Sequence, residues 1–189
     1  MSVFNNHSRR SIRLRGFDYS SDGAYFLTIC VRNRECLLGE IHDRQMILNS
    51  YGEIVKNIWE NLPNQVSEIN LDEYIIMPNH FHAILFIEKS FDSAKFYNDL
   101  DVNEPKDRRK MLLPKVVGRF KMLTAKMINQ SQEIGGVFWQ RNYYENIIRS
   151  EEDCQKIRGY IIDNPMRWEM DEHYSNSTLS INHRKQGNS

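Results

Sequence analysis

Apolar residues in the middle of the chain form two short runs on either side of a turn signal. The runs cover residues 74–77 and 83–87, and a Pro-Asn pair followed by His80, Phe81 and His82 separates them. Runs of this length around a proline-containing turn predict an antiparallel β-hairpin. Because side chains alternate between the two faces of a strand, His80 and His82 share one face and Phe81 points into the predicted core.

The remaining apolar pattern predicts a mixture of strands and helices. Strand-like alternation or 3.6-residue periodicity identifies most segments, and a charged stretch without periodicity predicts a long surface loop. The predicted elements are a first strand at residues 24–32, a minor hairpin at 36–41 and 46–48, a helix from Asn49 or Ser50 to Leu62, the long loop at 89–113, a helix at 114–130 with Val116, Val117, Phe120, Leu123, Met127 and Ile128 toward the core, a strand pair at 137–140 and 144–149, and a last helix from Ser150 to Asp163.

The composition is that of one globular domain. The chain has 189 residues, of which 40% are apolar and 26% charged, and this length can bury a sizeable core. Its three cysteines, Cys30, Cys36 and Cys154, are too few and too scattered for a disulfide framework or a zinc ribbon. No apolar run reaches the roughly 18 residues of a membrane-spanning helix, so we expect a cytoplasmic protein with no membrane partner.

Charge is segregated along a chain whose formal net charge is zero. Residues 1–34 contain six arginines and two acids (net +4), and residues 101–130 contain eight lysines or arginines and three acids (net +5). Residues 51–77 contain five acids and one lysine (net −4). Overall basicity therefore gives no argument for nucleic-acid binding, but the two basic segments can still present a positive face to phosphates.

Two groups of residues carry candidate chemistry. His80 and His82, one strand step apart on one face, can hold a single divalent metal, although a pair of partly exposed histidines at a strand start has the same spacing. On the last helix, Lys156, Tyr160 and Asn164 recur at i, i+4 and i+8 and present a cation, a phenol and an amide in one row. The alternative for Tyr160 is a ring packed at the core edge with its hydroxyl in water.

The order of these segments resembles that of a known family. Residues 77–82, with the sequence Met-Pro-Asn-His-Phe-His, precede the basic helix, and Phe-Trp-Gln at 138–140 and Tyr-Ile-Ile-Asp-Asn-Pro at 160–165 follow it. Together they resemble the single-tyrosine HUH transposases, most closely the subgroup associated with repetitive extragenic palindromes (REP). The resemblance extends from about residue 10 to residue 168, nearly the whole chain.

The resemblance implies a ferredoxin-like α+β sandwich, with an antiparallel sheet and helices on one face. It matches His80, His82 and Asn164 to the family's metal ligands, for Mg²⁺ or Mn²⁺, and Tyr160 to its nucleophile. The implied activity is that of a DNA transposase, which nicks and rejoins hairpin-bearing single-stranded DNA through a 5′-phosphotyrosine intermediate. Two other functions stay open: a catalytically silent, domesticated protein that binds palindromic DNA, and a metal-dependent hydrolase or oxygenase that uses the His-x-His pair with a further carboxylate ligand.

Basic side chains in two segments are candidate contacts to the DNA backbone, and such contacts are strongly salt-dependent. One segment is a basic arm at residues 1–16, which precedes the domain at 17–168 and a polar tail at 169–189. The other is the helix at 114–130, for which a solvated amphipathic helix is the alternative. The candidates are Arg13, Arg15, Lys115, Arg119, Lys121 and Lys126.

Three further points stay open in the sequence. Helix spacing alone suggests Lys156 as support for the phosphate or the phenolate, and an exposed lysine fits the pattern equally well. Tyr143 and Tyr144 are rival nucleophiles in a strand-like segment, but neither has an amide four residues later. A monomer and a homodimer are both compatible with the resemblance, and either is expected to act at the nucleoid in the cytoplasm.

Overall fold

The computed structural model describes residue 14 and residues 16–90, 97, 99–131 and 136–170. The strands are β1 (Gly23–Cys30), β2 (Gly39–His42), β3 (Gln45–Leu48), β4 (Ile69–Met77), β5 (His80–Ile87) and β6 (Tyr144–Ile148). The α-helices are α1 (Ser50–Glu60), α2 (Pro105–Arg108), α3 (Leu112–Ser131) and α4 (Glu151–Asp163). Two short 3-10 helices, Arg32–Arg34 and Pro165–Met170, follow β1 and α4.

Four strands form the central sheet in the order β4-β5-β1-β6, and all three neighbouring pairs are antiparallel. The chain order β1-α1-β4-β5-α3-β6 with this strand order is the split β-α-β arrangement of ferredoxin-like folds. The α+β class predicted from the sequence is therefore confirmed. Strands β2 and β3 form a separate two-stranded hairpin, as predicted, with slightly different bounds.

The predicted central hairpin is formed by β4 and β5. Met77 pairs with His80 across a two-residue turn, so β5 begins on the first histidine. On its other side β5 pairs with β1, which places Thr28 opposite His82 and Cys30 opposite His80. Both histidines therefore lie on a central strand, where neighbours on each side fix their direction.

Helices α1 and α3 cover one face of the sheet, as predicted, and enclose the larger hydrophobic core. Phe81 is fully buried there, with its ring centroid 4.8 Å from that of Trp59 and 5.2 Å from that of Phe120. The residue between the two histidines thus anchors β5 to both helices. A fixed strand in turn holds the two imidazoles on the opposite face.

Replacing Phe81 with alanine is expected to lower the free energy of unfolding by about 3–5 kcal/mol, the usual cost of truncating a buried aromatic side chain. Denaturant unfolding followed by circular dichroism measures it. Ile162→Ala, at an exposed position on α4, is the matched control and should change stability by no more than about 0.5 kcal/mol. A loss below about 1 kcal/mol for Phe81→Ala would show that the aromatic cluster does not hold β5.

Helix α4 lies on the other face of the sheet, which differs from the expectation of helices on one face only. Its apolar stripe, with Cys154 and Ile161, packs on Ala24, Ile84 and Ile148 in a smaller second core. Ile84 lies on the same face of β5 as His80 and His82, because all three are even-numbered positions of one strand. The last helix therefore covers the face that carries the imidazole pair.

The predicted strand pair at residues 137–140 and 144–149 is wrong. Strand β6 pairs with β1, with Ala24 opposite Ile148 and Thr28 opposite Tyr144, whereas Trp139 makes a single bridge to Val31. The free edge of β1 pairs with all five residues of β6. A local hairpin across a short turn would leave some of these backbone groups without a partner. Pairing with β1 also places the side chain of Tyr144, at the start of β6, on the face of the sheet that carries the histidines.

The described part of the predicted surface loop before α3 is exposed or half-buried, except for the buried Met111 at its end. It contains the short helix α2, and α3 begins at Leu112, so Pro114 lies in the first turn, where its missing N–H costs nothing. Leu112 and Leu113 are buried, whereas Met127, predicted to face the core, is half exposed. Residues 91–96 and 98 of the predicted loop lie outside the described residues.

The predicted domain boundaries are not tested by this structure. Residues 1–13 and 15 of the predicted arm, with Arg13 and Arg15, and residues 171–189 of the predicted tail lie outside the described residues. In the described part of the chain, no helix combines the length and the apolar character that crossing a membrane requires.

Candidate active site

The two imidazoles of the His-x-His segment form a buried pair. His80 is 0% and His82 3% exposed, and their ring centroids are 4.5 Å apart. This excludes the alternative of two partly exposed histidines at a strand start. The same-face arrangement predicted from strand alternation is confirmed.

Each imidazole makes a short hydrogen bond through Nδ1. His80 Nδ1 lies 2.8 Å from Asn79 Oδ1, and His82 Nδ1 lies 2.8 Å from Thr28 Oγ1. Since Nδ1 of each ring is engaged in this way, Nε2 is the nitrogen left for the site. In His82, Nε2 lies 3.4 Å from the hydroxyl of Tyr160.

Tyr160 is placed beside the imidazole pair by α4. Its ring centroid is 5.4 Å from that of His82 and 6.1 Å from that of Phe26. The ring of Phe26 in turn stacks on His82. The Tyr160 side chain remains 39% exposed. The phenol thus meets the histidines on one side and is open to solvent on the other, as a nucleophile for a large substrate requires.

The start of α4 is set by local signals that the sequence predicts. Ser150 Oγ accepts a hydrogen bond from Asp153 N at 3.1 Å, and the first turn contains three acidic residues. Both features stabilise a helix N-terminus. Tyr160 follows this start by about three turns, and its hydroxyl lies near His82 on the sheet.

An ion pair fixes α4 against β4. Arg158 donates from Nε at 2.8 Å and from Nη2 at 2.6 Å to Asp72 Oδ2, and from Nη1 at 2.9 Å to Glu151. Asp72 lies where the β4–β5 register shifts between Leu71 and Tyr74. The hydrogen bond to Asp72 raises the pKa of Arg158, so the guanidinium stays charged. Sequence reasoning missed this pair because the two residues are 86 positions apart and nothing local links them.

If Tyr160 is the nucleophile that the resemblance implies, replacing Arg158 with methionine is expected to slow formation of its covalent product by roughly 10-fold, since a small displacement of a reacting group costs rate steeply. The melting temperature should also fall. Quench-flow sampling of covalent product measures the rate. Arg167→Met, which breaks an exposed ion pair with Asp163, is the control and should behave as wild type. In the double variant with Asp72→Asn the two effects should be less than additive, and strict additivity would argue against the pair.

Asn164 supplies a buried oxygen at the end of α4. Its side chain is 2% exposed, and Oδ1 accepts no hydrogen bond from the described residues. Four residues later, the ring of Trp168 lies 6.0 Å from that of His80, so this end of the helix lies at the first histidine. A buried carbonyl oxygen without a donor costs about 1–3 kcal/mol, a cost that a cation would offset.

The donor set available here fits a divalent cation. Two imidazole nitrogens and an amide oxygen are ligands that Mn²⁺ accepts, and Mg²⁺ accepts the oxygen more readily than the nitrogens. Among the described residues, no three His, Cys, Asp or Glu side chains are grouped so as to hold a metal ion. A site with a carboxylate ligand, which the hydrolase alternative needs, is therefore not found in the described part of the chain.

The structure separates the rival tyrosines. Tyr143 is buried in the larger core, on the side of the sheet away from the histidines. Tyr144 is 53% exposed and lies opposite Thr28, on the histidine side. Tyr144 therefore remains the rival nucleophile to test, and Tyr143 does not.

Lys156, suggested as support for the phenolate, is held by a different partner. Its Nζ lies 2.7 Å from Glu152 Oε1 in an exposed ion pair one turn earlier on α4. This is the arrangement of a lysine on a solvated helix surface. A role for Lys156 at the phosphate stays a prediction.

The basic residues of α3 are not brought to the imidazole pair. Helix α3 packs on the opposite face of the sheet, with Lys115, Arg119 and Lys126 exposed. Lys115 Nζ lies 4.9 Å above the ring of Tyr97, and Arg119 Nε donates to Gln65 at 2.8 Å. Their predicted contact with DNA stays a prediction, and any such contact would lie away from Tyr160.

Lys121 has a structural role in addition to its predicted one. Its Nζ donates to the carbonyl oxygens of Gln140 and Arg141 at 2.6 and 3.0 Å. These bonds join α3 to the loop that leads into β6. No local pattern predicts this contact, because the two carbonyls belong to the backbone of another segment.

Comparisons with known proteins agree with this architecture. No family model matches the chain. An uncharacterized protein of Haemophilus influenzae is 42% identical over 170 residues, which cover 89% of this chain and 94% of that protein. A second protein of the same organism, named "Putative REP-associated tyrosine transposase", is 24% identical over 151 residues, or 79% of this chain and 74% of that one. The chain therefore resembles the REP-associated tyrosine transposases.

A solved REP-associated tyrosine transposase, bound to a REP hairpin, shares the fold. Its TM-score is 0.50 at 17% identity, with 88% of this chain and 74% of that chain covered. The family resemblance predicted from the order of the motifs is thereby confirmed. This likeness supports a transposase role for the protein.

Proposed function

We propose that the protein nicks and rejoins single-stranded DNA at hairpin-forming palindromes, with Tyr160 as the nucleophile. The observation that carries the proposal is the Tyr160 hydroxyl, 3.4 Å from His82 Nε2 on a side chain that is 39% exposed. A tyrosine packed at the core edge for structural reasons alone has no need of such a partner. Here the phenol is at once beside the imidazoles and open to a substrate.

The reaction is a transesterification at phosphorus. The Tyr160 oxygen forms a bond to phosphorus and loses its proton to solvent, the bond from phosphorus to the 3′ oxygen breaks, and that oxygen takes up a proton. The products are a 5′-phosphotyrosine and a free 3′-hydroxyl. Because a phenolate is a good leaving group, attack by another 3′-hydroxyl can reverse the step and join strands without ATP.

His80, His82 and Asn164 would hold the Mg²⁺ or Mn²⁺ that this chemistry uses. The bound metal supplies Lewis-acid stabilisation of charge on the nonbridging phosphate oxygens. The protein's part is to hold the phenol beside the ligands, through the α4–sheet contacts and the Arg158–Asp72 pair. A nucleophile oriented in advance lowers the entropic part of the barrier.

Hairpin DNA is the partner that the relatives suggest. One solved relative is bound to a REP hairpin, and the present chain has the same fold. The phenol and both imidazoles come from one chain, so the proposed reaction needs no second copy, and a homodimer remains a separate question. Action at the nucleoid in the cytoplasm stays a prediction.

The test is incubation of the protein with end-labelled single-stranded DNA that contains a REP-like hairpin, with Mn²⁺ or Mg²⁺, followed by denaturing electrophoresis. A labelled band that survives denaturant and disappears with protease is expected. Tight hairpin binding without such a band would favour the domesticated binder. If the protein neither binds the hairpin nor forms an adduct, and instead hydrolyses another substrate, the result would favour the hydrolase.

Neutralising the three exposed cations of α3 is expected to reduce salt-dependent hairpin binding. If Lys115, Arg119 and Lys126 each contact one phosphate, the triple glutamine variant should lower the slope of log Kd against log salt by about 2, since each contact contributes roughly 0.7. Fluorescence anisotropy at several salt concentrations measures it. Arg44→Asn, in the turn between β2 and β3 where the backbone φ is +62°, removes a single positive charge elsewhere and is the control. An unchanged slope would identify α3 as a solvated face.

A further inference from the structure

Two buried polar side chains lie behind the imidazole pair. Asn79 is in the turn before β5, and Thr28 is the cross-strand neighbour of His82 on β1. Each accounts for one of the 2.8 Å bonds to an imidazole Nδ1. Neither residue was expected in the site from the sequence, and neither is assigned a role by the proposed reaction.

The orientation of the Asn79 amide determines which ring nitrogen of neutral His80 carries the proton. Asn79 Nδ2 donates to the carbonyl oxygen of Arg34 at 3.1 Å, so Oδ1 is the atom that faces His80. An amide oxygen can only accept a hydrogen bond. In the neutral ring the proton must therefore lie on Nδ1, and Nε2 carries the lone pair.

His82 is held in the matching orientation by two neighbours. Its Nδ1 is bonded to Thr28 Oγ1, and the ring of Phe26 stacks on the imidazole with centroids 5.2 Å apart and planes at 24°. Turning the ring over would break the bond to Thr28 and move Nε2 away from Tyr160. When the Thr28 oxygen accepts the Nδ1 proton, the His82 Nε2 lone pair also faces the site.

We propose that Asn79 and Thr28 are positioning residues that hold both imidazoles as the Nδ1-protonated tautomer, so that both Nε2 lone pairs are presented to a divalent cation. The use of the cation rests on the proposed function, whereas the tautomers are a property of the free protein. A ring with its proton on Nε2 cannot ligate there, and partners behind metal-binding histidines raise affinity by fixing this choice. Asn79 and Thr28 thus act through the histidines and do not touch the substrate.

The tautomers can be read directly in the metal-free, full-length protein. Long-range ¹H–¹⁵N correlation spectra, recorded at a pH where the imidazoles are neutral, distinguish a protonated Nδ1 from a protonated Nε2. Both His80 and His82 are expected to show protonated Nδ1. A protonated Nε2 on either His80 or His82 overturns the proposal for that residue.

A pair of variants at position 28 tests the consequence for metal binding. Thr28→Val keeps the shape and removes the acceptor, so Mn²⁺ should bind about 10- to 100-fold more weakly, whereas Thr28→Ser keeps the acceptor and should stay close to wild type. Calorimetric titration with MnCl₂ measures both. Equal affinity of folded Thr28→Val and wild type overturns the role of Thr28.

Asn79 needs a second measurement, because its loss also leaves the Arg34 carbonyl without its donor. Asn79→Ala is expected to give a mixture of tautomers at His80 in the same spectra, and Asn79→Asp, which keeps an acceptor, should retain protonated Nδ1. If Asn79→Ala does not fold, the wild-type spectrum and the Asp variant still decide the point. Correct tautomers in a protein that forms no DNA adduct would refute the proposed function and leave this inference intact.

Discussion

Tyr160→Phe is expected to abolish the covalent DNA adduct, with a fall in rate of roughly 10⁴-fold or more, because it removes the attacking oxygen itself. The ring is kept, so its contacts with His82 and Phe26 and the packing of α4 should persist. Hairpin affinity should remain within about threefold of wild type, since the variant keeps every positive charge that could contact a phosphate. Denaturing electrophoresis measures the adduct, and anisotropy measures binding.

The matched control is Tyr144→Phe. Among the described residues, Tyr144 is the other exposed tyrosine on the histidine side of the sheet, so the pair of variants compares two phenols on one face. Tyr144→Phe should form the adduct at the wild-type rate. An adduct that survives in Tyr160→Phe and is lost in Tyr144→Phe would assign the nucleophile to β6 and refute the geometry proposed for α4.

The parts of the fold that the sequence predicts are those with local signals. The β4–β5 hairpin follows from two apolar runs around a Pro-Asn turn, and α4 follows from a serine cap and an Asn-Pro stop. These signals act within about ten residues, so one sequence contains all the information that they need. Strand alternation then predicts that His80 and His82 share a face, and the structure confirms it.

The parts that the sequence does not predict depend on distant partners. The pairing of β6 with β1 brings together residues more than 110 positions apart, for example Thr28 and Tyr144. A local hairpin partner for β6 is equally compatible with the pattern of apolar residues, and only the free edge of β1 decides between them. The same limit applies to the face of the sheet that α4 covers, since its apolar stripe fits either face.

The candidate site shows the same contrast between residues with local sequence signals and residues joined only by the fold. The residues proposed to react or bind are recognisable from their spacing, His80 with His82 and Tyr160 with Asn164. The residues that orient them, Asp72 with Arg158 and Thr28 with His82, are joined across 86 and 54 positions. Their chemistry is ordinary at each position, so only the folded chain shows what they do.

The metal proposal makes a second prediction of large effect, for His80→Gln. Loss of one imidazole should raise the Mn²⁺ concentration for half-maximal adduct formation by roughly 10²-fold or more, a larger change than the 10- to 100-fold typical of residues behind the ligands. Glutamine keeps much of the side-chain volume, and His42→Gln on the exposed β2 strand is the control, which should match wild type. A chelator should stop the reaction of the wild-type protein, and added Mn²⁺ should restore it.

The shape of the Mn²⁺ titration tells a ligand from a proton acceptor. If His80 only helps to hold the cation, the variant should approach the wild-type rate at saturating Mn²⁺, because full occupancy compensates for a weakened site. The same titration of His82→Gln is more informative, since His82 Nε2 also lies 3.4 Å from the Tyr160 hydroxyl. Recovery at high Mn²⁺ would make His82 a ligand alone, whereas a rate that stays low at saturation would mean that this imidazole also orients the phenol. Adduct formation by His80→Gln at the full rate in the presence of chelator would contradict a metal at this site.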